Sequence, residues 1–272
     1  LVEANYQRRN GVDGLPWPDW TGKIRGGPAQ RSLDLGCGSG GLSLQLQAMG
    51  ATHCVEGYDI SETRIAEAEK RRLTAGVEGY FRVGDVNRQD LPTNTYDLIV
   101  SKQSFHHFVE LERIMERVHE ALTPNGFFVL EEFVGPTQFQ WTNLQMHLVR
   151  ARLARIPERL RILPRGIPKK EEGRPTLAEV EAESPFESIR SAQIVPLFQK
   201  YFDVVAIRKL GGTLQQLLYN GIVHHFDPGD EEAMRQVKGI CALENLLLDQ
   251  DIIPSDFMLL IGRRRDTAPQ SA

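Results

Sequence analysis

Between residues 31 and 135 strand-like and helix-like segments alternate. A run of that kind folds as a largely parallel sheet with helices packed on its faces. Ser32-Leu33-Asp34-Leu35 reads as a short strand running into Gly36-Cys37-Gly38-Ser39-Gly40-Gly41, and a helix from 42 to about 49 follows, stopped by Gly50. Residues 53–60 form the second strand. Ser61 is placed to cap the next helix, Glu62 suits its positive end, and Gly76 lies just past its close. Strands are expected at 80–83 and 96–100. Between 111 and 122, Leu111, Ile114, Met115, Val118 and Leu122 form one buried helical stripe, broken by Thr123-Pro124-Asn125-Gly126 before a strand at 127–130.

The alternation lapses after residue 135. Residues 136–200 read as a mainly helical insertion with a Pro/Gly-punctuated loop at 163–175 and an acidic helix at 177–183, the kind of segment that forms a lid or partner surface. Residues 201–265 return to the sheet, with strands at 202–209 and 257–263 flanking a mostly helical stretch at 213–248. The expected division is thus an N-terminal segment 1–30, a ligand-binding core 31–135, the lid 136–200, the C-terminal part 201–265 and a tail 266–272.

The glycine loop carries the chemistry. Gly36, Gly38 and Gly40 sit where a strand turns sharply into a helix, and their missing side chains let a ligand approach the backbone. Gly36, Gly38 and Gly41 also satisfy G-x-G-x-x-G, so a nicotinamide or flavin site, or a merely structural turn, has to be weighed. Three acids decide against the dinucleotide. Asp34 lies within the strand, where a pyrophosphate would be repelled and a cation welcome. Asp59 ends the second strand, placed to accept hydrogen bonds from a ribose diol. Asp85 follows the third, a polar anchor that a nicotinamide fold does not need.

On these residues the chain resembles the class I, Rossmann-like S-adenosylmethionine-dependent methyltransferases, in particular the small-molecule group. The resemblance rests on Leu33-Asp34-Leu35-Gly36-Cys37-Gly38-Ser39-Gly40, then Tyr96-Asp97-Leu98-Ile99-Val100-Ser101, then Phe105-His106-His107, then Leu122-Thr123-Pro124-Asn125-Gly126-Phe127. It covers roughly residues 32–130. It implies a doubly wound seven-stranded sheet with an antiparallel last strand, and S-adenosyl-L-methionine as cofactor. Asp34 with Gly36, Cys37, Gly38 and Gly40 would hold the methionine part, and the segment from Ser101 to Gln103 would complete that pocket. Asp59 would bind the ribose, Ile60 flank the adenine, and Asp85 with the backbone of Val86 read the adenine edge.

In-line attack on a sulfonium methyl depends on alignment in a dry pocket, and a hydroxyl acceptor also needs a base. Candidate bases are His106, His107, Glu131, Glu132, His224 and His225, with His107, His106 and Glu131 put first and His107 preferred, since His106 continues a strand-like run and is the better candidate for packing. Period-two alternation sends only one of Glu131 and Glu132 toward the pocket. Adjacent His-His and Glu-Glu pairs do not place two ligands on one helix face as i, i+4 spacing does, so no metal is expected. Phe133, Phe139 and Trp141 either line the acceptor pocket or are core. The run Arg150, Arg152, Arg155, Arg159, Arg161, Arg165, Lys169 and Lys170 is either a solvated helix face or a reader of an anionic small molecule.

Composition bounds the rest. The 272 residues carry a net charge of -4, which gives no bulk attraction for nucleic acid, and no apolar run approaches the roughly 20 residues of a membrane span. The first residues lack the pattern of a signal peptide, and the absence of Met at the start suggests missing upstream residues. Three scattered cysteines fit a reducing cytoplasm rather than a disulfide framework. The expected activity is methyl transfer to a hydroxyl of a secondary metabolite or saccharide. The alternatives are C- or N-methyl transfer, or a non-catalytic cofactor-binding regulatory or assembly protein.

Overall fold

A computed structural model describes residues 9–266. After helix α1 (Trp17–Arg25) come β1 (Ala29–Leu35), α2 (Gly41–Ala48), β2 (Thr52–Asp59), α3 (Glu62–Ala75), β3 (Glu78–Val83), β4 (Tyr96–Lys102), α4 (Leu111–Ala121) and β5 (Leu122–Phe133). Then follow α5 (Asn143–Leu153), α6 (Leu177–Glu183), α7 (Ile194–Tyr201), β6 (Phe202–Gly211), α8 (Gln215–Tyr219), α9 (Glu231–Asp249) and β7 (Phe257–Arg264). The strands form one seven-stranded sheet in the order β3-β2-β1-β4-β5-β7-β6, with β7 antiparallel to both neighbours. The doubly wound sheet with its antiparallel last strand is therefore present as the resemblance implies.

Because β1 is followed outward by β2 and β3 on one side and bordered by β4 and β5 on the other, the chain switches direction between β1 and β4. Ligands bind at the carboxyl ends of strands flanking such a switch point. Side-chain alternation makes the sheet two-faced. Phe128 and Leu130 join Tyr96, Phe105, Phe198 and Phe202 on one face, while Phe127 and Val129 join Leu98, Val100, Trp17 and Trp20 on the other. Fully burying one such aromatic side chain stabilises by about 1.5–3 kcal/mol, enough to fix the strand register that the site depends on.

Local signals shape the elements as expected in several places. Ser61 caps α3 by accepting the Arg64 N–H, and Gly76 (φ 65°) closes it in the left-handed conformation. Two features differ from expectation. Helix α1 lies in the segment 1–30, for which the sequence pattern predicts no element, and buries Trp17 and Trp20 on the sheet. The Thr123-Pro124-Asn125-Gly126 segment does not end before a new strand but bulges within β5, whose pairing with β4 jumps from Tyr96–Leu122 to Leu98–Phe127.

The segment between β5 and β6 is helical, but most of it builds core. Met146, Val149 and Leu153 of α5, with Ile156 and Leu160 beyond it, pack against Leu214, Leu217, Val237, Ile240 and Leu248 from α8, α9 and the approach to them. No helix of the described residues is long and apolar enough to cross a membrane.

Candidate active site

The turn after β1 shapes the site. Gly36 (φ 76°) and Gly38 (φ 53°) occupy the left-handed region, and the Gly36 and Cys37 N–H groups donate to the Tyr58 carbonyl at 2.8 and 3.0 Å, lashing the loop to β2. At Gly36 glycine is required twice over, since a Cβ there would lie 2.4 Å from Ser104. Ser101 and Ser104 hydroxyls both donate to the Leu35 carbonyl at 2.8 Å, locking the end of β1 to the end of β4.

Three acids stand around this loop. Asp34 is buried beneath it, and its Oδ2 accepts the Ser43 hydroxyl at 2.7 Å. Burial pushes its carboxyl up to about 7; the Ser43 hydrogen bond pulls the other way, and the nearby Asp59 charge adds to the rise. Asp59 accepts the Gly38 N–H on Oδ2 and the Ser61 N–H on Oδ1, both at 2.9 Å, which fixes the carboxylate at the cavity edge. Asp85 is oriented by the backbone N–H and side-chain amide of Asn87, at 3.0 and 2.9 Å. Between them Ile60 stands 73% exposed, an aliphatic surface open to a ligand.

These groups line one cavity of about 740 Å³. Asp34, Gly36, Cys37, Gly38, Asp59, Ile60, Asp85, Val86 and Gln103 all contribute to its wall; Gly40 does not, and instead caps α2 in the left-handed conformation. Gln103 itself has φ 50°, a conformation unusual for a side-chain-bearing residue, held by its N–H to the Glu131 carbonyl. Residues that the sequence did not single out also line it. Among them Asn87 accepts the Val109 and Glu110 N–H groups at 2.8 and 3.1 Å, joining the loop after β3 to the segment after β4.

The 3₁₀ turn Phe105–His107 adjoins the cavity and sends His107 into its wall, between Ser104 and Phe108. Its organiser is Glu132, fully buried at the end of β5. Its carboxylate accepts the N–H groups of Ser104 (2.9 Å), Phe105 (2.6 Å) and Phe133 (2.6 Å) and meets His106 Nδ1 at 2.5 Å. Burial by itself lowers the His106 pKa, but hydrogen bonds to Glu132 and Glu187 and their charges outweigh it, and the ring is raised to about 9. His107 is exposed and lines the cavity; partial desolvation and the neighbouring His106 charge lower its pKa.

Other candidates lie elsewhere. Glu131 points away from the turn, pairs with Lys102 at 2.8 Å and accepts from Asn10 at 3.4 Å; it is not part of the cavity wall. His225 bonds the Ile162 carbonyl at 2.7 Å and, like His224, is absent from that wall. Phe139 stacks on Trp141, whose indole N–H donates to Asp256, and Phe133 packs edge-on to both Phe139 and His106; these rings are core. Part of the basic run is spent on structure: Arg159 pairs with Asp230 and Glu232, Arg161 bonds the Ile156 and Lys169 carbonyls, and Lys169 is buried on the Leu217 and Asn220 carbonyls, while Arg150, Arg155, Arg165 and Lys170 are exposed and outside the cavity wall. Of residues 136–200 only Ser184 and Phe186 reach the cavity.

This donor set fits S-adenosylmethionine. A buried carboxylate with a single donor on it, a fixed carboxylate at a strand end and an exposed aliphatic face suit an ammonium, a diol and a flat base respectively. A pyrophosphate at the start of α2 would instead lie close to Asp34.

Comparison with known proteins agrees. A family profile described as a methyltransferase domain matches residues 27–180. The chain is 27% identical over 144 residues to 2-phytyl-1,4-naphtoquinone methyltransferase of Nostoc sp., covering 52% of this chain and 62% of that protein. It is 33% identical over 112 residues to the mitochondrial arginine-hydroxylase NDUFAF5 of Rattus norvegicus, covering 40% of this chain and 30% of that protein. It thus spans less than two-thirds of either relative. An S-adenosylmethionine-dependent methyltransferase from Mesorhizobium loti shares the fold with a TM-score of 0.50 at 18% identity, over 94% of this chain and 100% of that one. Profile, sheet order and glycine loop converge on one conclusion: the chain belongs to the family of class I S-adenosylmethionine-dependent methyltransferase domains.

Proposed function

We propose that this protein transfers a methyl group from S-adenosylmethionine to an oxygen of a small molecule bound between the histidine turn and residues 184–186. The observation that carries this reading is the continuity of one cavity from Asp34 and Asp59 to His107 and Phe186. The cofactor supplies an electrophilic methyl; the chain's own residues bind, orient and exclude water. Asp34 holds the ammonium of the methionine part, with the glycine loop and Gln103 around it. Asp59 accepts the ribose hydroxyls. Ile60 flanks the adenine, and Asp85 with the Val86 backbone reads its edge. The acceptor's hydroxyl proton is lost on the side of His107, the imidazole of the turn that faces the cavity. The Nostoc relative, named for a quinone substrate, supports a small-molecule acceptor. The three cysteines are free thiols, which supports a cytoplasmic setting.

The test is transfer of an isotopically labelled methyl group to a panel of hydroxylated, amine and carbon-nucleophile metabolites. Label recovered only on nitrogen or carbon would replace the oxygen acceptor. A second reading, use of the bound cofactor without transfer, draws on the rat relative, named a hydroxylase; intact cofactor binding with no labelled product from any acceptor would favour it. Within the pocket, Asp59→Ala is expected to weaken cofactor binding by about 1–3 kcal/mol, the cost of leaving buried hydroxyls unpaired. An unchanged dissociation constant in calorimetry would put the ribose elsewhere.

Mobility is expected to be uneven along residues 136–200. Helix α5 buries Met146, Val149 and Leu153, whereas α6 buries only Val180. Amide exchange is therefore expected to be slow in α5, fast at 177–187, and slowed there by cofactor plus acceptor. Equally slow exchange in both, insensitive to ligands, would mean that this edge of the cavity does not move.

A further inference from the structure

We propose that His106, His107 and Glu187 form a binding site for a divalent first-row transition-metal ion at the acceptor end of the cavity. Glu187 Oε1 stands 3.4 Å from His106 Nε2 and Oε2 stands 3.5 Å from His107 Nδ1, and one ligand atom from each side chain lies within 4.8 Å of the others. Ligands bonded to one divalent ion at about 2.0–2.2 Å sit roughly 3–3.5 Å apart, so side-chain adjustment alone closes the site. Among the described residues this is the grouping of three ligand-type side chains with donors so close.

The surroundings are those of a ligand set. His106 presents Nε2 because its Nδ1 is engaged by Glu132, and Glu132 is itself pinned by three backbone N–H groups. A carboxylate on the far nitrogen of a histidine fixes the ring and raises the basicity of the ligating nitrogen. The ion-pair partners of Glu187 are the two histidines. Two imidazoles and one carboxylate leave coordination positions open, and His107, with Phe186 beside Glu187, turns that open side to the cavity. The site would take Zn(II), Mn(II), Fe(II), Co(II) or Ni(II), and the substrate class it suits is an oxygen-chelating acceptor, such as a vicinal diphenol or an enolised diketone.

This departs from the expectation of no metal, which rested on the adjacency of the two histidines. The 3₁₀ turn brings their ring centroids within 4.0 Å with the planes tilted by 45°, and the third ligand comes from far along the chain. The ion's part in catalysis rests on the methyl-transfer reading; the site itself does not.

The test uses untagged full-length protein, stripped with a chelator and titrated separately with Co(II), Zn(II), Mn(II), Fe(II) and Ni(II), and in parallel with S-adenosylhomocysteine. The expected result is one equivalent of bound ion per chain with d–d absorption bands for Co(II). Glu187→Gln and His107→Ala should each weaken that binding about 10-fold or more. Affinity of Glu187→Gln for S-adenosylhomocysteine should stay at the wild-type value, which reports an intact fold. No stoichiometric binding of any of the five ions, or binding unchanged in both variants, overturns the metal site and leaves methyl transfer standing. Stoichiometric metal without any binding of S-adenosylhomocysteine overturns the methyl-transfer reading and leaves the site.

Discussion

Asp34→Asn is expected to stabilise the ligand-free protein at pH 8 while weakening S-adenosylmethionine binding by about 2–5 kcal/mol, the usual loss when one partner of a buried charge pair is removed. The two effects share one cause. The folded state holds the Asp34 carboxyl at about 7, well above the ordinary carboxyl value of 3.8, chiefly because burial disfavours its charge. An acid whose pKa is raised on folding binds its proton more tightly in the folded state. Its cost to stability is therefore absent below the unfolded value, grows between pH 4 and 7, and is complete above 7. Each pKa unit corresponds to 1.36 kcal/mol, so removing the charge at pH 8 should stabilise the fold by about 1–4 kcal/mol. The same logic sets the pH dependence of binding. A cationic ammonium needs the carboxylate, so wild-type affinity should fall as pH drops below about 7, approaching tenfold per unit, and the slope should vanish in the variant. Thermal melts and calorimetry between pH 6 and 8.5 check both. A lower melting temperature in Asp34→Asn, with pH-independent binding by the wild type, would contradict the assignment.

The second large effect concerns Glu132. Glu132→Ala is expected to destabilise by about 3–5 kcal/mol, because it strands buried donors that nothing else can reach. The Ser104, Phe105 and Phe133 N–H groups and His106 Nδ1 all end on that one carboxylate. The damage should reach the cofactor, since the turn that Glu132 organises adjoins Gln103 and Ser104 in the cavity wall. Urea unfolding and S-adenosylhomocysteine titration measure the two consequences. A loss below about 1 kcal/mol would mean that water replaces the carboxylate and that the turn stands without it.

The glycine loop, Asp34 and Asp59 were legible because they are written in contiguous sequence: a strand, a turn with obligatory positive φ, and an acid at the next strand's end. The same holds for Ser61 and Gly76 at the ends of α3. What was not legible depends on phase or distance. Parity along β5 showed that only one of Glu131 and Glu132 could face the histidine turn. Which one was hidden until the bulge between Leu122 and Phe127 set the register. Glu187 meets the histidines only through the packing of the segment between β5 and β6, for which no local pattern exists. Helix α1 has prolines at its cap, Pro16, and in its first turn, Pro18, and no strong helical pattern of its own. Its stability comes from burying Trp17 and Trp20 rather than from propensity. The aromatic residues at 139 and 141 could serve either pocket or core, and only the packing decides: Trp141, with Phe139 against it, joins the helical layer with α8 and α9.

The central claim is that the cavity beneath the glycine loop is built for a cationic sulfonium amino acid carrying a ribonucleoside. Calorimetric titration of the full chain at pH 8 with S-adenosylmethionine, S-adenosylhomocysteine and NAD tests it most directly. The expected result is one-to-one binding of the first two, with NAD at least about tenfold weaker, a difference of 1.4 kcal/mol. Tight NAD binding without binding of S-adenosylmethionine would contradict it.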